Sequence, residues 1–547
     1  VFRKNNGHLQ QDLFSSYEWL NPKIRQRLDK TWAPIFYEHV FCQIDETPFA
    51  VLYCKDNGRS NFPVNILLSL EFIKHMKNYT DEETIDQFYF NFQVQYALGL
   101  RDLGKLYLCP RTLYEFRERL YCYTVENPGK EDLIFGQFER LTAHFLKVAG
   151  INTREQRIDT TQIMPNIKRA GRLSLAYDVL LKAVKAIPKE MLGEELAAVL
   201  EPDFRTGLLY RCRGSELLSR LEAVLNLGGR LVEVARAHPE LGALEEVQLL
   251  KRFLAEQGVF DPDKKRWLAQ DGKDISPASL QSAHDHEATY RKKGKQEHVG
   301  YVASIAETCG EENPVQFITD YALDKNSAGD PQMVKERLAK LESTGAADLY
   351  VDGGGYSPEV EREAETRRIK MHYTDLTGRK PDPQKIPLSE FTIEDRRQIL
   401  LCPAGETPLK SRFKQKTGIL TAYFDPNTCR ECQKREACPV KLKASSAVLR
   451  VSQKAVLAAE TRNRLVSSDR RQAVSKRAAI EGTNSALKRA HGAKKLRVRG
   501  KTKCRLVIGM KIIGHNFRQL ARFFLGDTRN KMAISTRTPI QGVPVSI

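Results

Sequence analysis

Apolar residues at helical spacing dominate the first 150 positions. Val64, Leu67, Leu68, Phe72 and Ile73 recur three to four apart, the spacing of one buried helical face. Thr80 followed by Glu83 predicts a capping box that opens a helix running toward Leu98, and Pro110 predicts the start of another. That second helix carries Arg111, Arg117 and Arg119, so the pair reads either as a helix-turn-helix DNA reader or as simple helix packing. From Arg154 the period changes. Residues 157–163, 298–308 and 314–322 predict strands, the last two a hairpin; 330–341 predicts a helix and 349–351 a buried strand ending at Asp352. This order is that of an α/β unit. Two stretches interrupt it. Residues 168–270 are rich in Leu and Ala at helical spacing with no strand-like run, and predict an inserted helical bundle. Residues 374–450 hold Pro381, Pro383, Pro387 and Pro403 and a cysteine cluster, too long for a structureless loop.

At 547 residues the chain is too long for one ordinary domain. Hydrophobic residues make up 41% and charged residues 28%, enough for a buried core and unlike a disordered chain. No run reaches the roughly 18 apolar residues of a membrane span. The N-terminal residues lack the apolar core of a signal peptide, so a cytoplasmic protein without a membrane partner is expected. The net charge is +19, and it is concentrated: between Arg462 and Arg522 eighteen Lys or Arg stand against only Asp469 and Glu481. Such a field predicts a polyanionic partner, most simply nucleic acid, the alternative being a solvated basic surface.

An acid amid that many cations needs a reason. Arg477, Glu481, Asn484 and Lys488 are spaced four, three and four apart and predict one polar stripe on a helix. With Asp159 in the first strand and Asp352 before Gly353, Gly354 and Gly355, Glu481 completes a set of carboxylates from separate elements. Phosphodiester cleavage by two divalent cations uses such a set, because Mg²⁺ prefers oxygen ligands. The glycines after Asp352 would let a backbone or phosphate approach closely.

These residues resemble a known family. Asp159-Thr160-Thr161 with Asn166, the turn from Asp352 to Tyr356, and Arg477, Glu481 and Lys488 at their spacing are similar to the three signature regions of bacterial insertion-sequence DDE transposases. Residues 62–120 resemble the N-terminal domain such transposases often carry, and 285–301 the segment leading into a core strand. The resemblance implies an RNase H-like α/β core with Asp159, Asp352 and Glu481 holding Mg²⁺ or Mn²⁺; Asp348 is the alternative to Asp352. It also implies that Arg477 and Lys488 hold DNA phosphates. The implied activity is metal-dependent cleavage at the element's terminal inverted repeats and strand transfer to target DNA, by a homodimer or higher oligomer associated with the bacterial nucleoid. The other reading is a catalytically inactive, transposase-derived DNA-binding protein.

Cys429, Cys432 and Cys438, with Cys402 upstream, have the short spacing of a thiolate site for structural Zn²⁺, against reduced free thiols or a redox role. Cys42, Cys54, Cys109, Cys122, Cys212, Cys309 and Cys504 are scattered and predict small buried residues. Lys494, Lys495, Arg497, Arg499, Lys501 and Lys503 predict an extended arm that grips phosphates without reading bases. The expected partition is a helical DNA-binding domain over 1–150 and a catalytic core from 151–167, 271–373 and 451–525. A helical insertion over 168–270, a Cys-rich insertion over 374–450 and a flexible tail over 526–547 complete it.

Overall fold

The computed structural model describes residues 1–9, 15–130, 132–210, 212–376, 382–465 and 470–526. The expected tail from residue 527 onward, with Pro381 and Asp469, lies outside the described residues.

The N-terminal part is helical. Helix α1 (Val64–Lys77) is buried on nearly every side, down to Glu71, Lys74 and His75, so it is the central rod of this region. The capping box forms as expected: the Glu83 amide donates to Thr80 Oγ1 at 3.0 Å and the Thr80 amide to Glu83 Oε2 at 2.6 Å. The helix it opens stops at Phe90, short of Leu98. The Asn91 side chain accepts from the Gln93 and Val94 amides and caps a separate helix, Phe92–Ala97. Helices α2 (Pro110–Glu126) and α3 (Leu133–Ala149) come after it.

A six-stranded mixed sheet comes next, built from β1 (Glu155–Ile163), β2 (Thr289–Lys293), β3 (Gln296–Thr308), β4 (Ile318–Lys325), β5 (Asp348–Val351) and β6 (Lys370–Tyr373). Its order is β3, β1, β5, β6, with β2 and β4 both paired to β3. Strands β1, β5 and β6 are parallel; β3 is antiparallel to β1. Helix α4 (Asp330–Ser343) and Pro358–Thr366 cover one face through Ile158, Val334, Leu338, Val351 and Val360. Beyond the Cys-rich part, two helices, α5 (Arg470–Ala478) and α6 (Ile480–Arg489), are separated at Ala479. The polar stripe of the sequence is therefore carried by two helical segments instead of one. Helix α7 (Lys501–Leu525) packs on α1, α3 and β4, and one hydrophobic core runs from Tyr17 to Ala521 through all of them. The helices cross closely: a Cβ added to Gly514 would lie 2.9 Å from Met76 Cα.

The two interruptions have cores of their own. Residues between Leu173 and Ala283 gather around Leu180, Leu221, Leu225 and Phe253. This part is helical except for a hairpin, Gly258–Asp261 with Arg266–Ala269, against the expectation of no strand. The strand Arg266–Ala269 is held in place from outside, the Trp267 amide donating to Asn226 Oδ1 at 2.9 Å. The Cys-rich part is a small four-stranded sheet, Lys410–Lys414, Ile419–Phe424, Ala447–Ser452 and Lys441–Leu442, beside a two-stranded ladder. Phe391, Ile399, Leu420, Phe424 and Leu449 form an apolar core there, so this part is not held together by thiols alone.

Candidate functional site

Parallel pairing decides where the acids meet. In the β1/β5 ladder Glu155 lies opposite Asp348 and Ile158 opposite Val351. The next residues, Asp159 in the middle of β1 and Asp352 directly after the last residue of β5, therefore stand side by side on adjacent parallel strands. Asp348 sits at the other end of its strand, about 13 Å away at 3.3 Å per residue. It is engaged there by His372 at 2.9 Å and Arg154 at 3.7 Å. The structure thus brings Asp352, not Asp348, beside Asp159.

Side chains alternate along a strand, so Arg157 and Asp159 share a face, and α5 and α6 lie against it. Arg157 pairs with Glu307 of β3 at 2.6 Å and donates to the Lys476 carbonyl at 2.8 Å, while Thr483 Oγ1 donates to Glu307 Oε2 at 2.7 Å. Arg157 and Glu307 are both buried, and burial pushes the Glu307 carboxyl up despite Arg157. Lys476 pairs with Glu155 at 2.7 Å. These bonds moor both helices to the sheet and aim Arg477 and Glu481 at the strand ends.

Arg477 stands between all three carboxylates. Its Nη2 lies 3.0 Å from Asp159 Oδ1 and 3.6 Å from Asp352 Oδ2, and its Nη1 lies 3.0 Å from Glu481 Oε1. Burial disfavours the guanidinium charge, but Asp159, Asp352 and Glu481 outweigh it and hold the pKa above its usual value. Asp159 is the most enclosed acid, its side chain 11% exposed against 47% for Asp352 and 66% for Glu481. Burial raises the Asp159 pKa, only partly offset by Arg477. Its second oxygen accepts from Asn484 Nδ2 at 3.1 Å. Arg477, expected on a phosphate, is instead occupied by carboxylates. Among the described residues no three Asp, Glu, His or Cys are gathered tightly enough to enclose an ion, because the acids fan around this guanidinium.

A basic wall adjoins the acids. Lys488 is half-buried; burial lowers its pKa, Asp159 counteracts that, and Lys293 and Lys494 lower it further. The sequence reading missed Lys293 as a site residue, although it ends the basic run Arg291-Lys292-Lys293, and it gave no role to Asn484, although that residue lay on the stripe. A fourth acid, Asp330, lines the small cleft beside Asp159 and Asp352, but Arg291 grips it with two bonds at 2.9 and 2.8 Å. Gly353 and Gly355 serve packing, since a Cβ on Gly353 would collide with the Asp375 carbonyl oxygen and one on Gly355 would lie 2.6 Å from Val351 Cγ1, while Gly354 lines the cleft beside Asp159 and Asp352. Tyr356 packs edge-on against Tyr373.

The arm is only partly an arm. Residues 494–498 pair with the chain beyond β1, Met164 donating to the Lys494 carbonyl at 3.2 Å and the Leu496 amide to the Met164 carbonyl at 2.8 Å. Lys494, Lys495 and Arg499 are exposed. Arg497 donates to the Tyr79 and Asn78 carbonyls at 2.5 and 3.3 Å. Lys501 and Lys503 already belong to α7 and pair with Asp324 at 2.8 Å and Glu118 at 3.2 Å. Three of the six expected cations are therefore committed to the protein itself.

Cys402, Cys429, Cys432 and Cys438 line one cavity of about 30 Å³. Cys429 starts its approach from the helix Pro426–Glu431, capped by Asp425. Burial pushes the Cys429 thiol up, followed by the neighbouring Cys438, Cys402 and Cys432. Of the scattered cysteines only Cys309 and Cys504 are buried; Cys54 and Cys109 are exposed, against expectation.

Two family models match the chain, one toward each end. Residues 401–521, which hold the four clustered cysteines, Arg477 and Glu481, match the model described as a transposase DDE domain. Residues 24–119 match a transposase domain of the N-terminal kind. No curated protein and no solved structure matches the chain. No helix among the described residues is long and apolar enough to cross a membrane. Both matches support the resemblance of this chain to insertion-sequence DDE transposases with an N-terminal transposase domain.

Proposed function

We propose that this protein cuts DNA at the ends of its mobile element and joins the freed strands to target DNA, with Asp159, Asp352 and Glu481 as the metal-binding acids. The observation that carries the reading is their convergence on one guanidinium, Asp159 from the middle of β1, Asp352 from just past the end of β5 and Glu481 from the first turn of α6. The strand order β4, β3, β1, β5, β6, with only β3 antiparallel to β1, supports an RNase H-like core interrupted over 168–270 and 374–450.

The donor set is all oxygen and suits Mg²⁺ or Mn²⁺. Two such cations would activate the attacking oxygen and stabilise the leaving one. Asp159, held by Asn484 and by the rigid strand, would be the fixed ligand; Asp352 and Glu481, more exposed, would turn to hold the cations that meet an incoming phosphodiester. Arg477 must release at least one acid for this, and it orients them until then. Lys488, Lys293 and Lys494 present positive charge where the scissile phosphate would lie. The four thiols that line one cavity are the ligand set for a structural Zn²⁺, which would have to draw them closer together than they stand here. Water would attack first, and the freed 3′-hydroxyl would then be the nucleophile at the target, on double-stranded DNA bound by a dimer or larger assembly.

The test is Mg²⁺-dependent nicking of duplexes carrying the element's ends. Asp159→Ala, Asp352→Ala and Glu481→Ala should each abolish cutting while the far-UV spectrum stays unchanged, and Asp348→Ala should cut. Near wild-type cutting by any of the first three variants removes that residue from the site.

A further inference from the structure

Helix α1 ends where it crosses α7 near Gly514, and from Met76 and Lys77 a groove of about 750 Å³ runs along α7 to its end at Leu525. Trp32 and Phe517 supply its apolar surface, and Lys77, Arg518 and Arg522 its charge; no Asp or Glu lines it. Lys77 lies 5.2 Å from the centre of the Trp32 ring, and Arg522 donates to the neutral Gln519 at 3.2 Å. Among the described residues none of the three cations has an ion-pair partner.

The charge is also unanswered by the backbone. Cations are favoured at helix C-termini, but each end offers only about half a negative charge. Two ends supply roughly one charge against three. The effect is felt underneath. Burial lowers the Lys77 pKa and Arg518 adds to it; burial lowers that of Arg518 and Arg522 adds to it. Below them His515 is lowered to about 3, by burial first and then by His491, Arg518 and Arg522.

The groove is continuous with the proposed DNA face. Arg497 of the arm bonds the carbonyls of Asn78 and Tyr79, the residues directly after Lys77. Ala490, on the groove's rim, comes directly after the helix that carries Glu481.

We propose that the groove between Lys77, Arg518 and Arg522 is a second anchoring site for the phosphodiester backbone of duplex DNA, distinct from the arm and blind to base sequence. The chemistry is that of phosphate contact: three unmatched cations, no side-chain acceptor aimed at base edges, and a helix scaffold that fixes their spacing. The proposal rests on the reading that this protein acts on DNA.

The test is salt-dependent binding of the full chain to element-end and random duplexes, followed by fluorescence anisotropy. Wild type, K77A/R518A/R522A, the charge-conserving R518K/R522K and the exposed single reversal R522E are compared. At about 0.9 per phosphate, the triple variant should flatten the slope of log affinity against log salt by up to about 2.7 and weaken both duplexes by similar factors. R518K/R522K should retain the wild-type slope. R522E, on an exposed turn, should lose about 0.9 or more of slope even if the triple variant fails to fold. Unchanged slopes in the triple variant and in R522E overturn the proposal. Unchanged slopes together with a lowered oligomeric state in sedimentation overturn it in favour of a protein partner. A wild-type chain that binds neither duplex refutes the DNA reading itself, which the variants alone cannot do.

Discussion

Replacing Arg477 by Gln tests whether its guanidinium serves carboxylates or phosphates. The side chains of Arg477 and Asp159 are 15% and 11% exposed, so their 3.0 Å contact is a largely buried pair. Removing one partner of such a pair costs about 3–5 kcal/mol. The bond from Asn484 to Asp159 survives, which places the expectation at the lower end, about 3 kcal/mol. The leg to Glu481 adds little, about 0–1 kcal/mol, because that carboxylate is 66% exposed. Asp159→Asn should cost less, about 1 kcal/mol, since the amide oxygen still accepts one of the two hydrogen bonds and Arg477 keeps Asp352 and Glu481. The double variant should then be more stable than the sum of the singles implies, by at least about 1.5 kcal/mol. Urea unfolding followed by far-UV circular dichroism reads these differences. The deficit of Arg477→Gln should also shrink as pH falls, because Asp159, whose pKa is already raised by burial, takes a proton and is no longer an unpaired charge. DNA binding by Arg477→Gln should keep the wild-type salt slope. A cycle additive to within about 0.5 kcal/mol, together with a slope reduced by about 0.9, would return Arg477 to the phosphates and refute the reasoning.

The purified protein should carry about one zinc, held by Cys402, Cys429, Cys432 and Cys438; elemental analysis near zero without chelator, or an unchanged value in Cys429→Ser, excludes the site. Gly514→Val should destabilise the α1/α7 crossing by about 1–3 kcal/mol, because the Met76 backbone that the new Cβ meets cannot yield as a side chain would; an unchanged melting temperature counts against so close a crossing. His515 is held neutral, its pKa lowered to about 3. The unfolded chain therefore binds the extra proton between about pH 6.5 and 3, and the stability that neutral His515 contributes above pH 6.5 is lost as pH falls through that window. His515→Gln should flatten the acid limb of the stability profile, and an identical limb would place the acid sensitivity elsewhere.

Much of the chain was legible because local chemistry decides it. The Thr80 and Glu83 capping box, the strands around Asp159 and the helix from Asp330 depend on residues within a few positions of one another. The same locality made the cysteine spacing and the lone Glu481 among cations readable. It failed where distant packing outweighed the local pattern. The hairpin Gly258–Asp261 with Arg266–Ala269 is pinned by Asn226 on another helix, and the expected arm gave Lys501 and Lys503 to α7, where Asp324 and Glu118 hold them. The choice between Asp352 and Asp348 could not be made from spacing at all. It depends on the register of β1 on β5, which joins residues nearly two hundred positions apart and fixes which acid stands beside Asp159. That Arg477 faces acids and not solvent likewise depends on Arg157, Glu307 and Thr483 drawing α5 and α6 onto the sheet. The sequence determined which residue types the site has, because composition and short-range periodicity are properties of the chain alone; which of them meet was decided by register and helix docking, which exist only once the sheet has formed.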